Sequence, residues 1–395
     1  MRLLFILTEL PYPAHRNGVA LINHALLVRA PQDASIDLLI AAEPDEQAEA
    51  ELRRLAPRVD KVSYVGPATA RKFRVGNLLT GAVLGRNVFE SRQAAELLRR
   101  SAQDYDAVYL APLMSFIDFR RASRLFLNAV DSFAQLNANA YGRSGKIKDW
   151  IKAHLYATYE RRMFRHAAMT SFVSYVDAHW VRERNGTLQV VCVPNGVDTN
   201  RFNPGGEAPQ PHSILFTGNF EYNPNAEAVV HIARHILPKV QARQPAATLQ
   251  IVGRSPPAAV HGIPGVVTTG FIDDIVPHYR KGSVFACALR SGAGIKNKVL
   301  EAMACGVPVV TNALGIDGIE GARIGEHYVA AETDDEFADA ILGLWSRPEE
   351  AARISRAARE LMCTRLSWER AAQLYFGHLR ALSLQHGRPR AVHHA

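Results

Sequence analysis

Short apolar runs alternate with segments of helical character along most of the chain. In the first half, the apolar runs lie at residues 2–8, 36–41, 107–110, 125–130, 170–174 and 190–193. Helical segments lie between them, near residues 19–28, 45–55, 92–102, 146–167 and 175–184. Apolar strands separated by helices are typical of a parallel sheet that is covered on both faces. This half is therefore predicted to be a doubly wound α/β domain.

The same alternation restarts after a linker-like segment. Residues 203–212 are rich in proline, glycine and polar side chains, which is typical of a connection between domains. Further strands are predicted at 214–217, 248–252, 266–269, 284–288 and 308–311, with helices near 224–241, 274–281, 296–305 and 334–346. The fold predicted for the whole chain is α/β, with two doubly wound Rossmann-like domains facing each other across a cleft.

The domain limits follow from these patterns. We expect an N-terminal domain over residues 1–205 and a C-terminal domain over residues 206–365. A helix at 366–385 has Trp368, Ala372, Tyr375 and Leu379 along one apolar face and is predicted to pack back on the first domain. Residues 386–395, rich in His, Arg and Pro, are predicted to be a disordered tail.

Composition narrows the class of protein. The chain has 395 residues, 48% of them hydrophobic and 21% charged, which is typical of a globular protein of two domains. Its formal net charge of +8 suits nucleic acid, an anionic membrane surface or an anionic substrate, but no nucleic-acid-binding motif is present. Four cysteines far apart in sequence indicate a reducing compartment. The apolar N-terminus is interrupted by Glu9 and is interpreted as a first strand, so we expect a cytoplasmic protein.

One glycine-rich segment, Arg290-Ser-Gly-Ala-Gly-Ile-Lys-Asn-Lys-Val-Leu-Glu301-Ala-Met-Ala-Cys-Gly306, follows the strand at 284–288 and leads into a helix. Gly292 and Gly294, next to Ile295, allow close approach of a ligand to the backbone. The free N–H groups at a helix start attract anions, so the segment predicts a phosphate site. The simpler alternative is a surface helix that happens to follow a glycine-rich loop.

Charged side chains in this helix suit a phosphorylated sugar. Lys296 and Lys298 add positive charge in or near the first turn. Glu301 lies about one turn further on, where it can accept hydrogen bonds from ribose or sugar hydroxyls. Positions two apart on a helix point about 200° apart, so we expect one lysine to face the ligand. Lys298 is favoured because Glu301 shares its face.

The first half offers weaker candidates. Gly18, after the first strand, permits close backbone approach to a ligand, or it is a plain turn glycine. Asp131, after the strand at 125–130, is placed to bind an acceptor or donor hydroxyl, or it is an exposed carboxylate at a strand end. Asp104-Tyr-Asp106 has the spelling of a metal site, but it precedes a strand and so lies away from the ligand edge of the sheet. No metal site is expected.

A basic face is predicted on the first half. The helix at 146–167 carries lysines and arginines alongside Ile147, Trp150 and Ile151, and Arg71, Lys72, Arg74 and the apolar stretch 78–84 add to it. Such a face suits contact with an anionic membrane, where lipid-linked acceptors reside. The alternative is an ordinary solvated face on a helix packed against the core.

Several ordered motifs carry a resemblance to a known family. They are Val193-Pro-Asn-Gly-Val-Asp-Thr-Asn-Arg-Phe202, Leu215-Phe-Thr-Gly218, Leu249-Gln-Ile-Val-Gly253, Gly270-Phe-Ile-Asp273, and Leu300-Glu-Ala-Met-Ala-Cys-Gly-Val-Pro-Val-Val310. Through these motifs, residues 160–385 resemble the family-4 retaining glycosyltransferases of GT-B architecture. The run Gly-Ala-Gly-Ile-Lys-Asn-Lys before Glu301 is most similar to bacterial enzymes of exopolysaccharide and polysaccharide assembly.

This resemblance implies an activity. The expected enzyme is a metal-independent hexosyltransferase that moves a sugar, with retention, from a nucleotide-diphosphate donor to a saccharide or lipid-linked acceptor. The sugar nucleotide is a substrate, and no cofactor is expected. Two other functions for the same fold stay open, a nucleotide-sugar 2-epimerase and a non-catalytic binding protein. The peripheral contact with an anionic membrane would place the enzyme at the inner face of the cytoplasmic membrane.

Departures from the family pattern leave the two lysines as the expected source of positive charge for the diphosphate. Family members carry two glutamates separated by seven residues; Glu301 matches the second, and the first falls on Ala293. Many also carry an arginine and a lysine after the first strand of the C-terminal domain, where this chain has Asn219 and Asn225. We infer that Lys296 and Lys298 supply the missing positive charge from the other side of the site.

Overall fold

Two parallel sheets, each covered by helices, account for the alternation of apolar and helical segments. The computed structural model describes residues 1–12, 18–65, 104–111, 124–206, 208–292 and 294–385. The helix predicted near 92–102, the basic residues at 71–74, the apolar stretch 78–84 and the tail 386–395 lie outside these ranges. The chain packs as two compact units, one of Met1–Val193 with the residues from Ala371 onwards, the other of Pro194–Arg370.

The sheet of the first unit is parallel throughout and has the order β3-β2-β1-β4-β5-β6-β7. Its strands are Arg2–Leu7 (β1), Ser35–Ile40 (β2), Val59–Tyr64 (β3), Ala107–Ala111 (β4), Leu125–Val130 (β5), Met169–Phe172 (β6) and Val190–Cys192 (β7). The central strands β1, β2 and β4 are buried along nearly their whole length. Burial on both faces explains why these strands are uniformly apolar in sequence.

Helices cover this sheet, and polar side chains fix where several of them begin. They are Gly18–Val28 (α1), Glu46–Leu55 (α2), Phe133–Ser144 (α3), Ile147–Phe164 (α4) and Tyr175–Arg184 (α5). Asp45, Ser132 and Ser174 each accept a hydrogen bond from a backbone N–H in the first turn of the helix that follows. Such caps satisfy donors that have no partner within the helix.

The second unit repeats the design with the order β10-β9-β8-β11-β12-β13, again parallel. Its strands are Ser213–Thr217 (β8), Thr248–Val252 (β9), Val266–Thr268 (β10), Val284–Cys287 (β11), Val309–Thr311 (β12) and Val329–Ala330 (β13). Its helices are Asn223–His231 (α6), Leu237–Gln241 (α7), Val276–Lys281 (α8), Asn297–Ala304 (α9), Ala313–Ile316 (α10), Asp334–Ser346 (α11) and Pro348–Arg365 (α12). A π-helical turn, Ile232–Ile236, joins α6 to α7, and a 3₁₀ turn lies at Ala258–Val260.

A last helix, Trp368–Gln385 (α13), begins in the second unit and continues in the first. Tyr375 lies edge-on to Tyr109 and Phe126, with ring centroids 6.0 Å and 5.7 Å away. Phe376 stacks on Phe5 at 6.3 Å, and Arg380 pairs with Asp33 at 2.7 Å. From Ala371 onwards this helix therefore contributes to the core of the first unit.

The fold prediction is confirmed at the level of two parallel, doubly wound Rossmann-like domains. Both sheets have the strand order in which the direction of winding reverses beside the first strand of the unit, at β1/β4 and at β8/β11. Ligands of such sheets bind outside the carboxyl ends of the strands at that reversal. The residues that follow β8 and β11 are therefore the first place to look for a site.

Candidate functional site: the carboxyl edge of the second sheet

The loop after β11 has the backbone that its glycines predict. Gly292 and Gly294 have φ of 116° and 70°, a region that residues with side chains rarely adopt. The loop ends in α9, where Lys296 occupies the cap position without a side-chain capping bond. The first N–H groups of α9 are thus oriented as in an anion-binding helix start. Ala293, where the first family glutamate would fall, lies outside the described residues.

Lys298 points from α9 towards the loop after β8. Its Nζ donates a hydrogen bond to Oδ1 of Asn225 and lies 4.5 Å from the centre of the Phe216 ring. Loss of hydration on burial, more than any neighbouring charge, lowers the pKa of Lys298 from 10.5 to about 8. The ammonium is therefore held in one position by an amide and an aromatic face, and much of its hydration is gone.

Asn225, in the first turn of α6, holds the loop after β8 in place. Its Nδ2 donates to the backbone carbonyl of Asn219 at 2.8 Å, so its Oδ1 is the atom that faces Lys298. A side chain at Gly218 would approach Nδ2 of Asn225 to 2.8 Å, and one at Gly253 would approach the carbonyl oxygen of Gly218 to 1.9 Å. Two glycines thus let the loops after β8 and β9 pack against each other beside the lysine.

Glu301 lies one turn beyond Lys298 and is bonded to a buried tyrosine. The phenol of Tyr279 donates to Oε2 of Glu301 at 2.7 Å and lies 2.7 Å from Oγ1 of Thr217. Because the single phenolic proton goes to the carboxylate, Thr217 is the donor in the second bond. Burial raises the pKa of Glu301 to about 7, although the Tyr279 bond, Arg201 and Lys298 act in the opposite direction.

Lys296 and Lys298 have different surroundings. Lys296 is buried, and its Nζ donates to the carbonyl of Gly294 within the glycine loop. The two lysines therefore have different partners, the glycine loop for Lys296 and Asn225 for Lys298. Which of them meets a ligand stays a prediction, as do the ligand contacts of Gly292, Gly294, Ile295, Asn219 and Glu301.

Packing fixes both ends of this segment. Ile295 lies against Gly318, where an added Cβ would approach its Cγ1 to 2.9 Å. At the other end of α9, Arg359 donates to the carbonyls of Ala304 and, at 3.0 Å, Phe202. A cation bonded to the last carbonyls of a helix satisfies acceptors that have no partner within it. The helix that carries Lys298 and Glu301 is thus restrained by two other parts of the second unit.

The partners of Glu301 and Lys298 were not found from the sequence. Tyr279 precedes Glu301 by 22 residues, and Asn225 precedes Lys298 by 73. Neither pair has a characteristic spacing, because the contacts depend on how α8 and the loop after β8 pack around α9. The only available signal was the presence of Asn225 where the family pattern carries a cation.

In the first unit, Asp131 follows a strained turn. Val130 at the end of β5 has φ of 68°, and the N–H of Asp131 donates to the carbonyl of Ala129 at 2.9 Å, which closes a three-residue turn. A β-branched residue in this conformation costs on the order of 1–3 kcal/mol, and such strain is concentrated at functional sites. The strand end that presents Asp131 is therefore unusual, and its role in binding stays a prediction.

Gly18 and the Asp104/Asp106 pair have simpler surroundings. An added Cβ at Gly18 would meet nothing within 4 Å, so no crowding requires glycine there. Oδ2 of Asp106 accepts the backbone N–H of Arg2 at 2.8 Å, which ties the start of β4 to β1. Within the described ranges, no helix is long and apolar enough to span a membrane.

A comparison with known families finds one match. Residues 211–347, which include α9 and the loops after β8 and β11, match the family model described as glycosyl transferases group 1. A search of curated proteins gave no significant match.

Solved structures resemble this chain over most of its length. Sucrose-phosphate synthase from Thermosynechococcus elongatus superimposes with a TM-score of 0.67 at 15% identity, over 98% of this chain and 100% of that one. Anabaena HepE in complex with UDP gives 0.66 at 15% identity, over 96% and 100%. WaaG, a glycosyltransferase involved in lipopolysaccharide biosynthesis, gives 0.64 at 14% identity, over 95% and 100%. The chain therefore has the GT-B fold of these glycosyltransferases, and its residues 211–347 are similar to the family described as glycosyl transferases group 1.

Proposed function

We propose that this protein is a retaining, metal-independent hexosyltransferase of the cytoplasm. It moves a sugar from a nucleotide-diphosphate donor to a hydroxyl of a saccharide or lipid-linked acceptor in polysaccharide or glycan biosynthesis. The observation that carries the proposal is the position of Lys298, bonded to Asn225 and packed on Phe216 beside the uncapped start of α9.

The leaving group sets the chemical problem. When the bond between the sugar and the β-phosphate breaks, negative charge grows on the diphosphate and positive charge on the sugar ring. Fixed hydrogen-bond donors in a poorly hydrated site stabilise such charge, and each lowers the activation barrier by about 3 kcal/mol. The ammonium of Lys298 and the N–H groups of α9 are donors of this kind, and they need no reorganisation when the charge appears.

Glu301 suits binding of the sugar, the part of the donor that becomes positively charged. Within the described residues, its Oε2 accepts from Tyr279 and its Oε1 makes no hydrogen bond, so one carboxylate oxygen stays available to a hydroxyl of the ribose or the sugar. With a pKa of about 7 in the free protein, Glu301 is partly ionised at neutral pH. Glu301 is not proposed to attack the sugar as a nucleophile, because Lys298 already stabilises the departing diphosphate. Its proposed role is to hold the donor while the ring carries positive charge.

The first experiment identifies the donor. Purified protein is screened by thermal shift against UDP-, GDP- and dTDP-sugars, because a ligand at about 100 times its Kd stabilises the fold by about 2.7 kcal/mol. The donor that binds is then incubated with saccharide acceptors, with and without EDTA. We expect transfer in both conditions, with the anomeric configuration of the donor kept in the product by NMR.

Lys298→Ala tests the site itself. The control is Lys281→Ala, which removes a lysine that is exposed on the surface of the same unit. We expect Lys298→Ala to lower transfer about 100-fold or more, while Lys281→Ala transfers like the parent protein. Equal activity in both variants would remove Lys298 from the mechanism. Epimerised donor sugar in the absence of any acceptor would instead show a nucleotide-sugar 2-epimerase, and donor binding without turnover a non-catalytic protein.

A further inference from the structure

The helices α3 and α4 of the first unit form a hairpin whose turn carries apolar side chains into solvent. At the base of the hairpin, the rings of Phe133 and Tyr156 stack at 5.5 Å. At the turn, Gly145 ends α3 with φ of 62°, and Ser144 donates to Oδ2 of Asp149 at 2.8 Å. With α3 twelve residues long, the turn lies about 18 Å from the base along the helix.

The first turns of α4 are apolar on the face opposite the core. Its buried face is formed by Ala153, Tyr156, Tyr159 and Met163. At 100° per residue, Ile147, Trp150 and Ile151 centre on the other side of the helix. Their exposed fractions are 66%, 43% and 43%. An amphipathic helix of a soluble domain needs one apolar stripe, so the second stripe is not explained by packing within this unit.

Positive charge surrounds this second stripe. Lys146 and Lys148 are exposed, and Lys152 is partly exposed. Between Phe133 and Tyr159 the sequence has one carboxylate, Asp149, and that group accepts the hydrogen bond from Ser144. A Trp and two Ile side chains among lysines combine the apolar and cationic groups that bind at the headgroup level of an anionic bilayer.

We propose that the turn of the α3–α4 hairpin binds an anionic membrane surface, with Ile147, Trp150 and Ile151 among the headgroups and the lysines at lipid phosphates. Each lysine near such a surface adds to the attraction, so a small patch suffices. A stable protein interface needs on the order of 1,200 Å² or more, far beyond three side chains. A two-fold dimer would bring the same lysines face to face, which like charge disfavours. These arguments do not depend on the proposed function.

The test is flotation of the full chain with vesicles of phosphatidylcholine alone or with about one third phosphatidylglycerol. We expect binding to the anionic vesicles only, weakened by high salt. The triple variant Ile147→Ser, Trp150→Ser, Ile151→Ser is expected to lose at least about tenfold in affinity. The control removes two apolar side chains exposed on the second unit, Phe271→Ser with Ile324→Ser, and is expected to bind like the parent protein.

Two further measurements separate membrane contact from other outcomes. Emission of Trp150 should shift to the blue on anionic vesicles, and Trp150→Phe should remove that shift while binding persists. Thermal unfolding followed by circular dichroism should be the same for the triple variant and the parent protein. Equal vesicle binding by the triple variant, equal binding to neutral vesicles, or a dimer that the triple variant dissociates would each overturn the proposal.

Discussion

Two glutamates, one in each unit, have raised pKa values for the same reason but lie in different surroundings. Glu160 on α4 is 2% exposed, and burial raises its pKa to about 8. Glu301 on α9 is partly exposed, and burial raises its pKa to about 7. Desolvation of the carboxylate dominates in both. On the pKa values alone, Glu160 would be the stronger candidate for a functional group.

The partners of each carboxylate reverse that ranking. Oε2 of Glu160 accepts from Ser132 at 2.9 Å and Oε1 accepts from the N–H of Ala134 at 3.1 Å, so both oxygens serve the start of α3. Glu301 is bonded through one oxygen to Tyr279 and follows a glycine loop and a lysine. A perturbed pKa marks burial, and the groups around the carboxylate decide whether it serves the fold or a ligand.

The largest expected effect is a difference in catalysis between the two neutral substitutions. Glu301→Gln keeps the size of the side chain but removes the charge that we propose to face the sugar ring, so kcat for transfer should fall about 100- to 1,000-fold. Glu160→Gln removes a more deeply buried charge and should keep kcat within about twofold. Steady-state transfer assays with the donor found by thermal shift measure both. Comparable losses in the two variants would contradict the assignment of separate roles.

A second expected effect is on stability as a function of pH. Both carboxyl groups have a folded-state pKa above the ordinary value of 4.5, so the contribution of each to stability is fully present below about pH 4.5 and is lost as the pH rises through its folded-state pKa. Each contributes a slope of up to about 1.4 kcal/mol per pH unit. For the first unit, amide hydrogen exchange in Phe133–Ser144 should show protection falling up to about pH 8. Glu160→Gln should flatten this fall.

Glu301→Gln is the control for that measurement. It should leave exchange in Phe133–Ser144 unchanged and instead flatten the fall in protection of Asn297–Ala304, which should end near pH 7. Loss of the pH dependence of both helices in either variant would mean that the two units do not respond separately.

Much of the fold was predictable because burial on both faces leaves an apolar signature. The strands at the centre of each sheet were found for this reason. Strand β3, Val59–Tyr64, was not predicted, since it lies at a sheet edge, where only Val59 is buried and the next two residues, Asp60 and Lys61, are exposed and charged. Helix α3 was missed as well, because its Asn- and Gly-containing sequence has low helix propensity. It is held by the cap of Ser132, directly before it, and by Glu160, which comes from the next helix.

The candidate site was predictable only in its local part. Gly292, Gly294, Lys298 and Glu301 lie in one segment, so a glycine loop and a helix period suffice to relate them. Asn225 and Tyr279 come from other elements, and their contacts depend on the packing of α6 and α8 beside α9. The hydrogen bond between Lys298 and Asn225 supports the inference that Lys298 compensates for a cation missing at that position.

The smallest expected effect concerns Tyr279, which acts on the reaction through Glu301. Tyr279→Phe removes a hydrogen bond that lowers the pKa of Glu301, so the acidic limb of the pH profile of kcat/KM should move to higher pH. At pH 7, activity should fall about five- to tenfold, less than for Glu301→Gln, because the carboxylate itself remains. Tyr105→Phe is the matched control, since Tyr105 donates to the carboxylate of Asp37 at 2.6 Å in the first unit. A pH profile of Tyr279→Phe that coincides with that of Tyr105→Phe would limit Tyr279 to a structural role.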